Sequence, residues 1–181
     1  MRSSPDQLWA VVLAGGIGSR FWPASTPHRP KQLLPLASEK PLIRDTIERI
    51  SPLIPLQRIR VLTGARLAAA IRDLMPELTA ENFLVEPRPA GTAPVLAWAA
   101  TEIERLDPDA TMVSLHADHV IEPASVFREQ IAAAAELASV HRRLFTIGAT
   151  PTRPETGYGY IRVGPALPND RADGTDSAYA V

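Results

Sequence analysis

The chain has 181 residues, 45% apolar and 22% charged, and no cysteine. These values describe one globular domain and exclude disulfides, thiolate zinc sites and a cysteine nucleophile. The formal net charge of −1 excludes a general nucleic-acid binder, and no run approaches the ~20 apolar residues of a membrane span. The apolar stretch 8–14 is followed by glycines rather than by a small-residue cleavage site, so the expectation is a cytoplasmic protein with no nucleic acid and no membrane as partner. The unusual features are local. Eighteen prolines are about twice the usual ~5%. Lys31 and Lys40 are the only lysines among nineteen basic residues. Residues 1–40 hold five bases (Arg2, Arg20, Arg29, Lys31, Lys40) against two acids, whereas 101–140 hold two bases against eight acids.

In chain order, 8–14 is a short apolar run that predicts a strand buried on both faces. Ile43, Ile47 and Ile50 make the stripe of a first helix over 41–51, with Pro41 in its first turn. Residues 58–63 predict a second strand closed by Gly64, and Leu67, Ala70, Ile71 and Leu74 a second helix ended by Pro76. Residues 83–85 predict a third strand, and Val95, Ala99, Ile103 and Leu106 a third helix in which Thr92 is the N-cap. A fourth strand is predicted over 111–115 and a fourth helix through Phe127, Ile131, Ala134 and Ala138. Residues 144–147 predict a fifth strand and 158–163 a sixth. Residues 167–177 read as a polar loop, and 177–181 opens a further apolar segment. This β-α rhythm predicts an α/β, Rossmann-like fold, a mostly parallel twisted sheet with helices on both faces.

Gly15-Gly16-Ile17-Gly18-Ser19-Arg20 follows the first strand, where parallel sheets place their ligands and where glycine backbone N–H groups can cradle phosphate. A tight turn with glycines at positive φ is the plainer alternative. A P-loop is excluded because no Gly-Lys pair exists, and a dinucleotide loop because Phe21 stands at its third glycine and the second strand ends without a ribose-binding acid. Arg20 and Lys31, eleven residues apart, could grip a polyphosphate from two sides, the one as a planar fork and the other as a point charge. Beyond the fourth strand, Asp118 in His116-Ala117-Asp118-His119 could hold Mg²⁺, which takes one or two carboxylates with phosphate oxygens. A zinc set of His116, Asp118 and His119 is the alternative, and a helix cap or turn residue the structural one.

Leu13-Ala14-Gly15-Gly16-Ile17-Gly18-Ser19-Arg20-Phe21-Trp22-Pro23 with Pro30-Lys31-Gln32 resembles the signature of sugar-1-phosphate nucleotidylyltransferases, and is most similar to their mannose-1-phosphate guanylyltransferase branch. The resemblance continues at Ala117-Asp118-His119, at Glu86-Pro87 through Thr92-Ala93-Pro94, and at Pro154-Glu155-Thr156-Gly157-Tyr158-Gly159-Tyr160-Ile161. It implies that Leu13, Ala14, Gly15, Gly16, Gly18, Ser19, Arg20, Lys31, Glu86, Gly91 and Thr92 meet the nucleotide. It also implies that Gly157, Tyr158 and Gly159 meet the sugar, that Asp118 binds Mg²⁺, and that Arg20, Lys31 and Asp118 are catalytic.

The implied reaction transfers GMP from GTP to mannose-1-phosphate, releasing pyrophosphate, with a homodimer as an open option. Two departures stand out: His116 replaces the family's proline, and Ala90-Gly91 replaces its Arg-Asn pair, which loosens the case for guanine. The family's later sugar-binding segment and second metal aspartate are absent, so 1–181 is expected to be the N-terminal, nucleotide-binding part of the domain, without its C-terminal continuation. A non-catalytic nucleotide-binding module, a regulatory pseudoenzyme, and transfer to another hexose-1-phosphate stay open beside this reading.

Overall fold

The structure, a computed structural model, describes residues 7–16, 21–26, 29–167 and 178–181. Strands β1 (Leu8–Leu13), β2 (Ile59–Gly64), β3 (Phe83–Glu86) and β4 (Thr111–His116) alternate with helices α1 (Leu42–Ile50), α2 (Ala65–Leu74), α3 (Thr92–Leu106) and α4 (Ala124–His141). Among the described residues the strands form one sheet in the order β3-β2-β1-β4, every pair parallel.

The two faces of β1 build two cores. Leu8, Ala10, Val12 and Ala14 join a cluster with Ile43, Ile47 and Ile50 of α1, Ile71 of α2, and Phe127 and Ile131 of α4. Trp9 and Val11 join a second cluster with Leu62 and with Val95, Ala99 and Ile103 of α3. Side chains alternate across a strand, so a continuous apolar run such as Leu-Trp-Ala-Val-Val-Leu supplies both layers at once. Helices therefore cover both faces: α1, α2 and α4 on one, α3 on the other. Burying an isoleucine such as Ile43 or Ile47, both at most 1% exposed, contributes roughly 1.5–3 kcal/mol. No helix of the described residues is long and apolar enough to cross a membrane.

Three local expectations are corrected. Residues 144–147 and 158–163 form no strand. Leu144 is fully exposed, and Tyr158, Tyr160, Ile161 and Val163 are each more than half exposed. An apolar pattern marks a side chain's preference for burial, but a strand also needs a hydrogen-bonded neighbour, and among the described residues none pairs with the outer edge of β4. The apolar end of the chain instead makes a small antiparallel bridge, Ala166 with Tyr179. The third correction is at α3, where Gly91 rather than Thr92 is the N-cap, at φ 87°. A left-handed conformation suits glycine, so the chain turns there and Thr92 becomes the first helical residue.

These corrections separate two substitutions that look alike in sequence. Ile47→Ala should cost about 2–5 kcal/mol by chemical denaturation, whereas Leu144→Ala should change stability by less than about 0.5 kcal/mol. A large loss at Leu144 would show that 144–147 is packed after all.

Candidate active site

The strand order reverses direction between β1 and β4, the switch point at which open α/β sheets bind ligands beyond the carboxyl ends of their strands. The register brings those ends level. Leu13 pairs with His116 and with Leu62, and Gly64 pairs with Glu86. The glycine turn, Asp118 and Glu86 therefore emerge at one edge.

The β1 end is tied on both sides. Ala14 N donates to Leu62 O (2.9 Å), Ala117 N donates to Leu13 O (3.1 Å), and the buried Thr63 hydroxyl donates to Ala14 O (2.8 Å). Leu13 and Ala14 thus spend these backbone groups inside the sheet, and the first residues clear of it are Gly15 and Gly16. Gly16 has φ 87°, which favours glycine. A Cβ at Gly15 would stand 3.9 Å from Glu86 Oε1, which places the Glu86 carboxylate against the turn. Gly18, Ser19 and Arg20 lie outside the described residues.

Pro30 leads into a single 3₁₀ turn, Lys31–Leu33. Lys31 Nζ forms an ion pair with Asp118 Oδ2 and stands 5.6 Å from the centroid of the Phe21 ring. Next to it Gln32 is 1% exposed. Its Nε2 donates to Gly15 O (2.7 Å) and reaches Gly16 O (3.4 Å), while its Oε1 is buried without a partner among the described residues. Gln32 clamps the glycine turn, a role the motif reading did not assign. Its place beside Lys31 was visible in sequence, but its burial was not.

Asp118 sits in the turn after β4. Burial raises its carboxyl pKa, but the hydrogen bond and charge of Lys31, helped by His119, outweigh burial and hold it below the ordinary value. Its neighbours His116 and His119 stack, with ring centroids 4.8 Å apart at 30°. Partial desolvation on its protein-facing side, and then the charge of His116, lower the His119 pKa although the residue is exposed. Arg49 Nη2 donates to His119 O (3.0 Å) and Arg128 Nη1 to Arg49 O (2.9 Å), bracing the turn against α1 and α4.

The remaining expected residues divide. Gly91 and Thr92 sit exposed at the start of α3, on the loop that follows Glu86. Gly157, Tyr158 and Gly159 are exposed on the segment after α4. Gly157 N donates to Glu155 Oε1 (3.1 Å), and Tyr160 Oη both accepts from Glu155 N (2.7 Å) and donates to Glu155 O (3.0 Å). Among the described residues these bonds stay within the segment, and none joins it to Lys31 or Asp118.

At the switch point, then, an ammonium, a carboxylate and two glycines converge. The chemistry of that set suits a polyanion and a hard cation: Mg²⁺ takes one or two carboxylates with phosphate oxygens, and Asp118 is the carboxylate that could hold it.

A family model described as Nucleotidyl transferase matches residues 9–174. A mannose-1-phosphate guanylyltransferase of Klebsiella pneumoniae is 37% identical over 174 residues, 95% of this chain and 35% of its own length. The Xanthan biosynthesis protein XanB of Xanthomonas campestris is 37% identical over 155 residues, 85% of this chain and 33% of its own length. A solved Thermus thermophilus structure, described as a mannose-1-phosphate geranyltransferase, superposes with a TM-score of 0.73 at 35% identity over 88% of this chain and 46% of that one. The chain thus spans about a third of the length of the sequence relatives it matches. With the family model covering most of its residues, the chain belongs to the nucleotidyl transferase family.

Proposed function

We propose that the chain binds GTP across the ends of β1 and β4 and serves the transfer of GMP to mannose-1-phosphate, giving GDP-mannose and pyrophosphate. The observation that carries this reading is the meeting of Lys31 and Asp118 beside the Gly15-Gly16 turn at the sheet's switch point. The names of the relatives support the substrates. The setting proposed is the cytoplasm, with a homodimer as the assembly to test.

In this reading a phosphate oxygen of the sugar attacks the α-phosphorus of GTP. A new P–O bond forms, the bond to the β-phosphate bridging oxygen breaks, and the electron pair leaves with pyrophosphate. The nucleophile is already an anion, so no side chain has to remove a proton. The protein's work is positioning and neutralisation. Lys31 and Asp118 neutralise each other in the ligand-free arrangement and exchange partners on binding. The ammonium turns to the phosphates, joined by Arg20, and the Asp118 carboxylate would hold Mg²⁺. When bound, Mg²⁺ supplies charge stabilisation at the phosphate oxygens. Gly15, Gly16, Gly18 and Ser19 offer backbone donors, with Leu13 and Ala14 as their platform and Gln32 holding the turn. Glu86, Gly91 and Thr92 are assigned to the base, and Gly157, Tyr158 and Gly159 to the sugar.

Lys31→Met and Asp118→Asn should each lower pyrophosphate release from GTP and mannose-1-phosphate by about 10²–10³-fold, the scale of removing one electrostatic stabiliser. Full Mg²⁺-dependent turnover in Asp118→Asn would rule out the assignment. The second reading is nucleotide binding without turnover. Calorimetric GTP binding with no pyrophosphate released would select it.

The ion pair has its own test. Because Lys31 is what holds the Asp118 carboxyl low against burial, Asp118 in Lys31→Met should titrate at higher pH than in the parent chain, read from its side-chain carbon resonance. A carboxyl held below its unfolded value stabilises the fold at neutral pH, and that contribution is lost as pH falls through the depressed value. The acid side of the stability profile should therefore flatten in the variant. An unmoved Asp118 titration would mean that the pair does not persist in solution.

A further inference from the structure

We propose that His116, Asp118 and His119 form a binding site for a divalent transition-metal ion of the Zn²⁺ or Co²⁺ kind, occupied without nucleotide. The backbone carrying the three side chains is anchored: β4 pairs with β1 through His116, and Ala117, 1% exposed, donates its N–H to Leu13 O at 3.1 Å. The turn at Ala117 and Asp118 then returns the chain so that His119 stacks on His116. One donor atom from each residue lies within 4.8 Å of the others. Donors about 2.0–2.2 Å from one tetrahedral ion stand about 3.4 Å apart, so the cluster has to close by a little over an ångström to hold the ion. Both histidines are exposed, and their rings can swing inward without disturbing the core.

The donor chemistry selects the ion. Two imidazoles and one carboxylate suit Zn²⁺ and Co²⁺, whereas Mg²⁺ prefers oxygen ligands throughout. Three protein ligands leave an open position for water or an exchanging group, unlike a closed structural site. Two cations face the cluster. Arg49 bonds to the His119 carbonyl and not to its imidazole. Lys31 holds Asp118 Oδ2, so an incoming ion has to take the carboxylate from the ammonium. The site shares Asp118 with the proposed nucleotide site but does not depend on it. An ion held by the histidines engages the same carboxylate, so the two uses compete.

The test is a titration of the 181-residue chain with Co²⁺ in the absence of nucleotide, followed by visible d–d absorption and then by displacement with Zn²⁺. The expected result is one Co²⁺ per chain, displaced by Zn²⁺ and not by Mg²⁺ at the same concentration. His116→Ala and His119→Ala should each weaken binding by more than about 100-fold, since even outer-shell changes cost about 10–100-fold in metal affinity. His141→Ala, at the end of α4, should not alter it, and circular dichroism should show all three folded. Lys31→Met should bind more tightly than the parent chain. Affinity that survives both His116→Ala and His119→Ala, or that fails to rise in Lys31→Met, overturns the assignment. GTP takes no part in this titration, so its outcome is separate from that of the nucleotide-transfer reading.

Discussion

The burial of β1 on both faces is the constraint on which the rest of the structure rests. It lies between β2 and β4, and its alternating side chains feed one core toward α1, α2 and α4 and another toward α3. A strand in that position cannot slip: a one-residue change of register would exchange the two faces. Its carboxyl end is consequently held to a fixed height, and the glycine turn opens beside the turn that carries Asp118. The candidate site is thus set by the packing of a strand that contributes none of the side chains proposed to be catalytic.

Two polar interactions refine that height into a site. Thr63 and Gln32 both bond to carbonyls of the β1 exit, at Ala14 and Gly15. Both side chains are buried almost completely, where an unmet hydrogen bond is costly. Each therefore fixes the backbone it touches. The Lys31–Asp118 pair then stores opposite charges side by side. Neither charge is fully buried, so the pair holds the two side chains together without locking them, which suits the exchange of partners proposed for the site.

Much of the fold was legible because its elements are built from local patterns. The Ile43-Ile47-Ile50 stripe, the apolar run of β1, and the Gly64 and Pro76 stops each describe a preference that the tertiary structure satisfies. The reading failed where preference was not enough. Residues 144–147 and 158–163 have the apolar content of strands, but a strand exists only in a ladder, and its partner is a non-local fact. Thr92 has the chemistry of an N-cap, yet the backbone of Gly91 decided where the helix begins.

The site divides along the same line. The order of residues alone determined the ingredients: a glycine turn after a buried strand, a lysine rare in this chain, an acid after the fourth strand, and a family signature joining them. These are short-range facts, carried by residues close together in the chain. Only the tertiary structure decided that Lys31 and Asp118, 87 positions apart, are partners, that Gln32 is a buried clamp, and that His116 folds back onto His119. Those relations depend on sheet order, register and burial. Each of these is a property of long-range packing, and packing is settled by the whole chain at once.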